Sequence, residues 1–389
     1  MNNWLEIEEK HSSGAYGGWP MTIVRGNGSY LWDSDDNKYL DLSTGIGVAS
    51  LGHSNINIKN ALTEQSGKLI SASHGYYGND VRALYLKRLA EISPKNLNRI
   101  FLCNSGTEAV EGAIKLARSV SKKSKILSCV RGYHGRTLGA LSATWKEAMK
   151  APFNPIVPNF EHVPFGKIDP IKNKDLDNVA AILIEPIQGE GGVYSASKSY
   201  LKELKNLCLE NDILLIFDEV QCGFGRTGEW FASQYFDVEP DIISIAKAQG
   251  GGVPIGAVIF NDNLKFEKKM HGSTYGGNPL ACAVGLSVIE FIMDNGVLNN
   301  VKKMGEYSFT LCVHGGGLDA NPKLWEALLI GVIPIIKENK IWVAMTTRGY
   351  GTQLYQGIYS YDLESKKWEI WFFSFNKICL LYTSDAADE

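Results

Sequence analysis

The stretch Asp241-Ile-Ile-Ser-Ile-Ala-Lys-Ala-Gln-Gly-Gly-Gly-Val-Pro-Ile-Gly256 decides how this chain is read. Ile242, Ile243 and Ile245 make an apolar run of strand length, and Ala257-Val-Ile-Phe260 resumes as a second strand. Between them stand Lys247 and a glycine turn, Gly250 to Gly252. A lysine at the end of a buried strand is a poor structural choice, because desolvation disfavours its charged form. The same desolvation makes it a usable nucleophile toward a carbonyl. A lysine that snorkels from a strand end into water would look the same, so this stretch alone leaves both readings open.

A second stretch separates them. Ile213-Leu-Leu-Ile-Phe217 is apolar, is bounded by Asn211-Asp212, and runs into Asp218-Glu-Val-Gln221. The pattern predicts a buried parallel strand with carboxylates at its carboxyl end, where open α/β sheets bind ligands. Asp218 by itself could be a helix cap or a metal ligand. Paired with Lys247 it suits pyridoxal phosphate, which needs an amine for its aldehyde and an acid for its ring nitrogen.

Asp218-Glu-Val-Gln-Cys-Gly-Phe-Gly-Arg-Thr-Gly228 and Ala246-Lys-Ala-Gln-Gly-Gly-Gly-Val-Pro-Ile-Gly256 together resemble the class III aminotransferases, above all the acetylornithine and lysine-biosynthesis branch. The likeness runs from about Tyr16 to about Tyr307. It implies an α/β protein of fold type I among the enzymes that use pyridoxal 5'-phosphate: a mostly parallel sheet flanked by helices. It also implies a homodimer with shared active sites. The expected division is an N-terminal segment of the small domain (1–45), a large cofactor-binding domain (46–300) and an atypical tail (301–389) in place of the C-terminal small domain.

Composition agrees with such a protein. A chain of 389 residues can bury one large core with a smaller companion. A balance of 39 basic against 42 acidic residues, net -3, argues against a nucleic-acid partner. No apolar run reaches the length that spans a bilayer. The N-terminus has no signal-peptide pattern, and the 7 cysteines lack a Cys-x-x-Cys pair. The expectation is therefore a cytoplasmic chain with reduced thiols, no metal site and no membrane contact.

Candidate site residues fall at predicted element ends. Arg99–Cys103 reads as a strand, and apolar Ala109, Val110, Ala113, Ile114, Ala117 and Val120 follow at helical spacing. The turn between them, Ser105-Gly106-Thr107, offers backbone N–H groups to an anion, or simply an N-cap. By resemblance it cradles the cofactor phosphate. Lys125–Val130 is the next strand. It delivers Tyr133, which the resemblance stacks on the cofactor ring, and Arg136, which it places on a substrate carboxylate; a guanidinium fork suits that task. His134 is set aside as a general base, because the lysine can carry the proton itself.

Ala180–Ile184 predicts a buried strand ending in Glu185-Pro-Ile-Gln-Gly-Glu-Gly-Gly192. By resemblance Glu190 is a gate. It neutralises an arginine while the amino donor is bound and releases it for 2-oxoglutarate. Gln221 is implied to contact the cofactor's phenolic oxygen, and Arg226 to be structural. In His271-Gly-Ser-Thr-Tyr-Gly-Gly-Asn-Pro279, Thr274 is implied to reach the phosphate in the partner subunit and Ser273 to touch substrate. Glycine-rich Ser43–His53, a connector by its composition, is implied to lie over the site.

After Tyr307 the resemblance stops. The family's second carboxylate-binding arginine has no counterpart there; Arg348 stands in a different context. His314–Ile336 looks like the closing segment of an exostosin-type glycosyltransferase, Tyr359–Trp368 resembles a propeller-blade hairpin, and Leu380–Glu389 looks like adaptor read-through. The tail thus reads as chimeric.

The expected function is transfer of a terminal amino group from an acetylornithine- or carrier-bound lysine-type donor to 2-oxoglutarate, giving a semialdehyde and glutamate in arginine or lysine biosynthesis. Leu141-Ser-Ala-Thr-Trp145 and Ala151-Pro-Phe-Asn-Pro-Ile-Val-Pro158 look closer to the lysine-pathway enzymes, whose donor rides on a small acidic carrier protein. The rival expectation is a remnant that binds cofactor without turnover.

Overall fold

Alternation along the apolar runs builds the sheet. Ile182 and Ile184 enter one core cluster and Leu183 the other; Leu215 and Phe217 part from Ile216, and Ile243 and Ile245 from Ile242. Successive strand side chains point to opposite faces, so a run apolar at every position needs cover on both sides. The computed structural model describes residues 4–16, 21–41, 43–314, 335–337, 340–348, 354–362 and 368–374, with side chains as far as residue 305.

A small antiparallel sheet comes first: β1 (Ile23–Asn27), β2 (Tyr30–Asp33) and β3 (Lys38–Leu40). The sequence reads as two short strands, Tyr30-Leu-Trp-Asp33 and Tyr39-Leu-Asp-Leu42, around a polar turn, close to β2 and β3; β1, with Arg25, Gly26 and Asn27, gives no such signal. The strands that follow are β4 (Arg99–Cys103), β5 (Lys125–Cys129), β6 (Phe160–Val163), β7 (Val179–Ile184), the short hairpin β8 (Ile187–Gln188) and β9 (Tyr194–Ser195), then β10 (Leu214–Asp218), β11 (Ile242–Ile245) and β12 (Gly256–Phe260). Outside the hairpin they form one sheet in the order β4-β12-β11-β10-β7-β5-β6. β12 runs against its neighbours, and the other pairs are parallel. Six strands therefore end at one edge.

Helices cover both faces. Gly106–Ser121 packs on β4, β7, β10, β11 and β12 through Ala109, Val110, Ala113, Ile114 and Ala117. Val120, which shares that spacing, is exposed in the last turn. Pro279–Asp294 packs on the helices Ile56–Lys68 and Asp80–Ile92. Among the described residues no single helix is long and apolar enough to cross a membrane.

The helix Val297–His314 continues through residue 301 without a break. Beyond it, β13 (Ile335–Lys337), β14 (Lys340–Arg348), β15 (Leu354–Asp362) and β16 (Trp368–Ser374) form an antiparallel sheet in chain order. Tyr361 pairs with Trp368, so the blade-like segment is a hairpin. Most of the exostosin-like segment (315–334) and the adaptor-like end (380–389) lie outside the described residues.

One buried cation joins distant segments. Arg82, 2% exposed, donates to the carbonyls of Ala72 and Gly277, each at 3.1 Å, and to that of Tyr77. It ties residues 70–79 to the turn that carries Ser273 and Thr274. Arg82→Met leaves these carbonyls without a donor and should cost about 3 kcal/mol of stability. Urea unfolding measures this, and an unchanged midpoint would contradict it.

Candidate active site

β11 and β10 run parallel with Ser244 opposite Asp218, so Lys247 and Asp218 emerge at one edge from neighbouring strands. The chain turns at once after β11. Lys247 takes φ of 50° and opens a tight helical turn, Lys247–Gly250. A lysine in the left-handed region is strained, and such strain gathers at functional sites. Its amine is largely buried, and burial holds its pKa below the usual lysine value; Asp218, Glu190 and Glu185 pull the other way.

Asp218 is 4% exposed. One carboxylate oxygen meets His134 Nδ1 at 2.7 Å, and the other accepts from Val220 N at 3.1 Å. Burial works against the His134 imidazolium and the bond to Asp218 works for it; the net effect holds its pKa above the ordinary value. The histidine is buried, 3% exposed, and lies against the carboxylate rather than in the open site. The neighbouring Glu219 points away and accepts from the N–H groups of Ala232 and Ser233, which caps the helix Ala232–Phe236.

The helix start expected to receive the phosphate lies close to the Asp218 strand end. Ser105 caps the helix Gly106–Ser121 by accepting from Glu108 N at 3.3 Å. A Cβ on Gly106 would stand 2.6 Å from Val220 Cγ1, so only glycine allows the helix to start this close to the Asp218 strand end. The Thr107 hydroxyl lies 2.7 Å from that of Thr137. Tyr133 is half-buried, and its hydroxyl accepts from Arg136 Nε at 3.2 Å; Arg136 itself is exposed.

Glu190 is exposed on its turn, and the Gln221 amide lies against Gly189 one residue before it. Ser273 Oγ accepts from Asn104 Nδ2 at 3.1 Å and from Gly276 N at 2.9 Å, while Thr274 is exposed. Three residues enter the site that the motifs did not mark: His134 as the partner of Asp218, Asn104, and Glu185. Glu185 ends an apolar strand just as Asp218 does, and that repeated pattern was the available signal.

Ser43–His53 is more than a connector. Thr44, Gly45, Ile46 and Gly47 all have positive φ, from 48° to 79°. Asp41 holds this left-handed turn through the Ser43 hydroxyl at 2.7 Å and Thr44 N at 2.9 Å, and it meets His53 at 2.7 Å. Arg226 donates to Ser50 Oγ at 3.0 Å, which fits the structural role expected of it. Among the described residues no group of three or more side chains could hold a metal ion.

An amine and a buried acid beside a helix start define the site. The family model described as Aminotransferase class-III matches residues 13–310. The chain belongs to the class-III aminotransferases. It is 44% identical over 308 residues to the acetylornithine aminotransferase of Methanopyrus kandleri, covering 79% of each chain. It is 45% identical over 305 residues to that of Methanothermobacter thermautotrophicus, covering 78% of this chain and 77% of the relative. Among solved structures, the ornithine aminotransferase of Toxoplasma gondii superposes with a TM-score of 0.78 at 30% identity, over 92% of this chain and 82% of that one. A transaminase from the marine bacterium Virgibacillus gives 0.79 at 25% identity, over 88% and 83%.

The cofactor of this aminotransferase is pyridoxal 5'-phosphate, and the residues present fit it. The amine suits its aldehyde, the carboxylate its ring nitrogen, and the glycine-opened helix start its phosphate. If His134 holds Asp218 in place, His134→Phe should keep the ring volume yet weaken cofactor binding by at least about 10-fold, the loss of one charge-assisted hydrogen bond. Equilibrium dialysis of the cofactor measures this, and an unchanged Kd would contradict it.

Proposed function

We propose that this aminotransferase moves the terminal amino group of an acetylornithine-type donor to 2-oxoglutarate, giving a semialdehyde and glutamate. The placement of a desolvated lysine and a buried carboxylate at adjacent strand ends carries the reading. The names of the relatives support the donor class. Arginine biosynthesis in the cytoplasm is the proposed setting, and a homodimer the proposed assembly.

Pyridoxal phosphate, when bound, supplies an electron-withdrawing ring that takes up negative charge developing on the donor carbon. Lys247 would hold its aldehyde, Asp218 its ring nitrogen, and Ser105, Gly106 and Thr107 its phosphate, with Thr274 reaching the phosphate in the partner subunit. Tyr133 would lie against the ring and Gln221 against the phenolic oxygen.

The Lys247 amine, easier to deprotonate because it is buried and free once the donor's amine has displaced it, takes the proton from the donor carbon and would deliver it to the carbon that came from the cofactor's aldehyde. Arg136 offers its fork to a substrate carboxylate, Ser273 touches the substrate, and Glu190 acts as the gate that pairs with an arginine until 2-oxoglutarate enters. Residues 301–389 stand in place of the C-terminal small domain.

Two other readings have support of their own. The segments Leu141–Trp145 and Ala151–Pro158 favour a lysine donor borne on a small acidic carrier protein. The missing counterpart of the second arginine favours a remnant that holds cofactor without turnover.

Steady-state assays of the holoenzyme with acetylornithine, and with carrier-bound lysine, separate these readings. Turnover of acetylornithine with 2-oxoglutarate is expected, and Lys247→Ala should lower kcat by at least about 100-fold with the fold retained. Unchanged turnover in that variant contradicts the assignment, and cofactor colour without turnover of either donor supports the remnant.

A further inference from the structure

Glu185 ends β7 as Asp218 ends β10, and the reaction above gives it no task. Its side chain is buried, with the residue 5% exposed. One oxygen accepts from Tyr133 N at 3.0 Å and the other from Gly189 N at 3.3 Å. These two N–H groups belong to different loops: one presents the aromatic ring, and the other starts the turn that carries Glu190. The loops meet again nearby. Gln188 Nε2 donates to the Val130 carbonyl at 3.0 Å. A Cβ on Gly191 would stand 2.7 Å from the Arg131 carbonyl oxygen, so the turn sits directly on the loop before Tyr133.

We propose that Glu185 is a positioning residue, a single carboxylate that clamps the Tyr133 loop and the Glu190 turn in one register, so that the cofactor is held firmly only while both N–H groups are bound. The inference rests on the stacking and gate roles proposed above. No motif marks Glu185 for this work; the geometry does.

The charged and titratable groups that face it are His134 from the Tyr133 loop, Asp218 from the end of β10, Lys247 after β11, Cys129 from β5 and Cys222 after β10. Burial pushes both thiols far up, so they stay neutral across the working range. Burial also raises Glu185 to about 7, with the imidazole of His134 opposing and the Asp218 charge adding. Above that value both oxygens accept. Below it the carboxyl is neutral, both oxygens become poorer acceptors, and the hold on both N–H groups weakens. The clamp is therefore expected to loosen as pH falls through about 7.

Hydrogen exchange of Tyr133 N–H and Gly189 N–H in the holoenzyme, read against the intrinsic rate from pH 5.5 to 8.5, tests the clamp directly. Protection of both amides should fall together, roughly tenfold, as pH drops through the window, the scale of one net hydrogen bond. The rate of cofactor release should rise over the same window, and Glu185→Gln should raise it at high pH and remove the step. Amides that respond separately, or a Gln variant that keeps the wild-type step, would overturn the proposal. Should that variant not fold, the wild-type amides and release rate decide alone. Repeating the exchange on the apo chain separates this inference from the reaction, because a failed cofactor assignment leaves the two amides coupled.

Discussion

The register between β10 and β11 is the constraint on which this molecule depends. With Ser244 opposite Asp218, the lysine three residues further on emerges beside the carboxylate. A shift of one residue would turn every side chain of β11 to the other face and send Lys247 into a core cluster. The register is fixed by burial, since Ile242, Ile243 and Ile245 are fully covered, alternating between the two faces. Packing thus aligns the chemistry.

Placing charges in such a sheet edge is costly unless each has a partner. Asp218 has His134 and Val220 N, Glu185 has two loop N–H groups, and Glu219 caps a helix. Lys247 has neighbouring carboxylates and an uncommon backbone conformation. The edge keeps one amine under-solvated and surrounds it with acids that are themselves satisfied. That separation leaves the lysine as the reactive group.

Much of this was legible in the residues. The apolar runs around Phe217 and Ile243 gave the strands, and the acid and lysine that end them gave the site, because a charge closing a buried run is hard to explain by packing. The helix after Ser105 was equally open, since its buried residues keep helical spacing. The partner of Asp218 was not, because His134 reaches it across 84 positions and only the fold joins them. Glu185 was hidden for a similar reason: its partners are backbone N–H groups, which carry no sequence signature. The left-handed turn at 44–47 carries little sequence signal, because Ile46, a β-branched residue, rarely takes positive φ. The antiparallel tail sheet followed no pattern shared with the rest of the chain beyond one predicted hairpin.

The chemistry of the site turns on one amine. Borohydride reduction of the purified holoenzyme followed by peptide mass mapping fixes the cofactor to whichever lysine holds it. The account predicts one modified peptide, with the pyridoxyl group on Lys247. A label on any other lysine, or none, would contradict it.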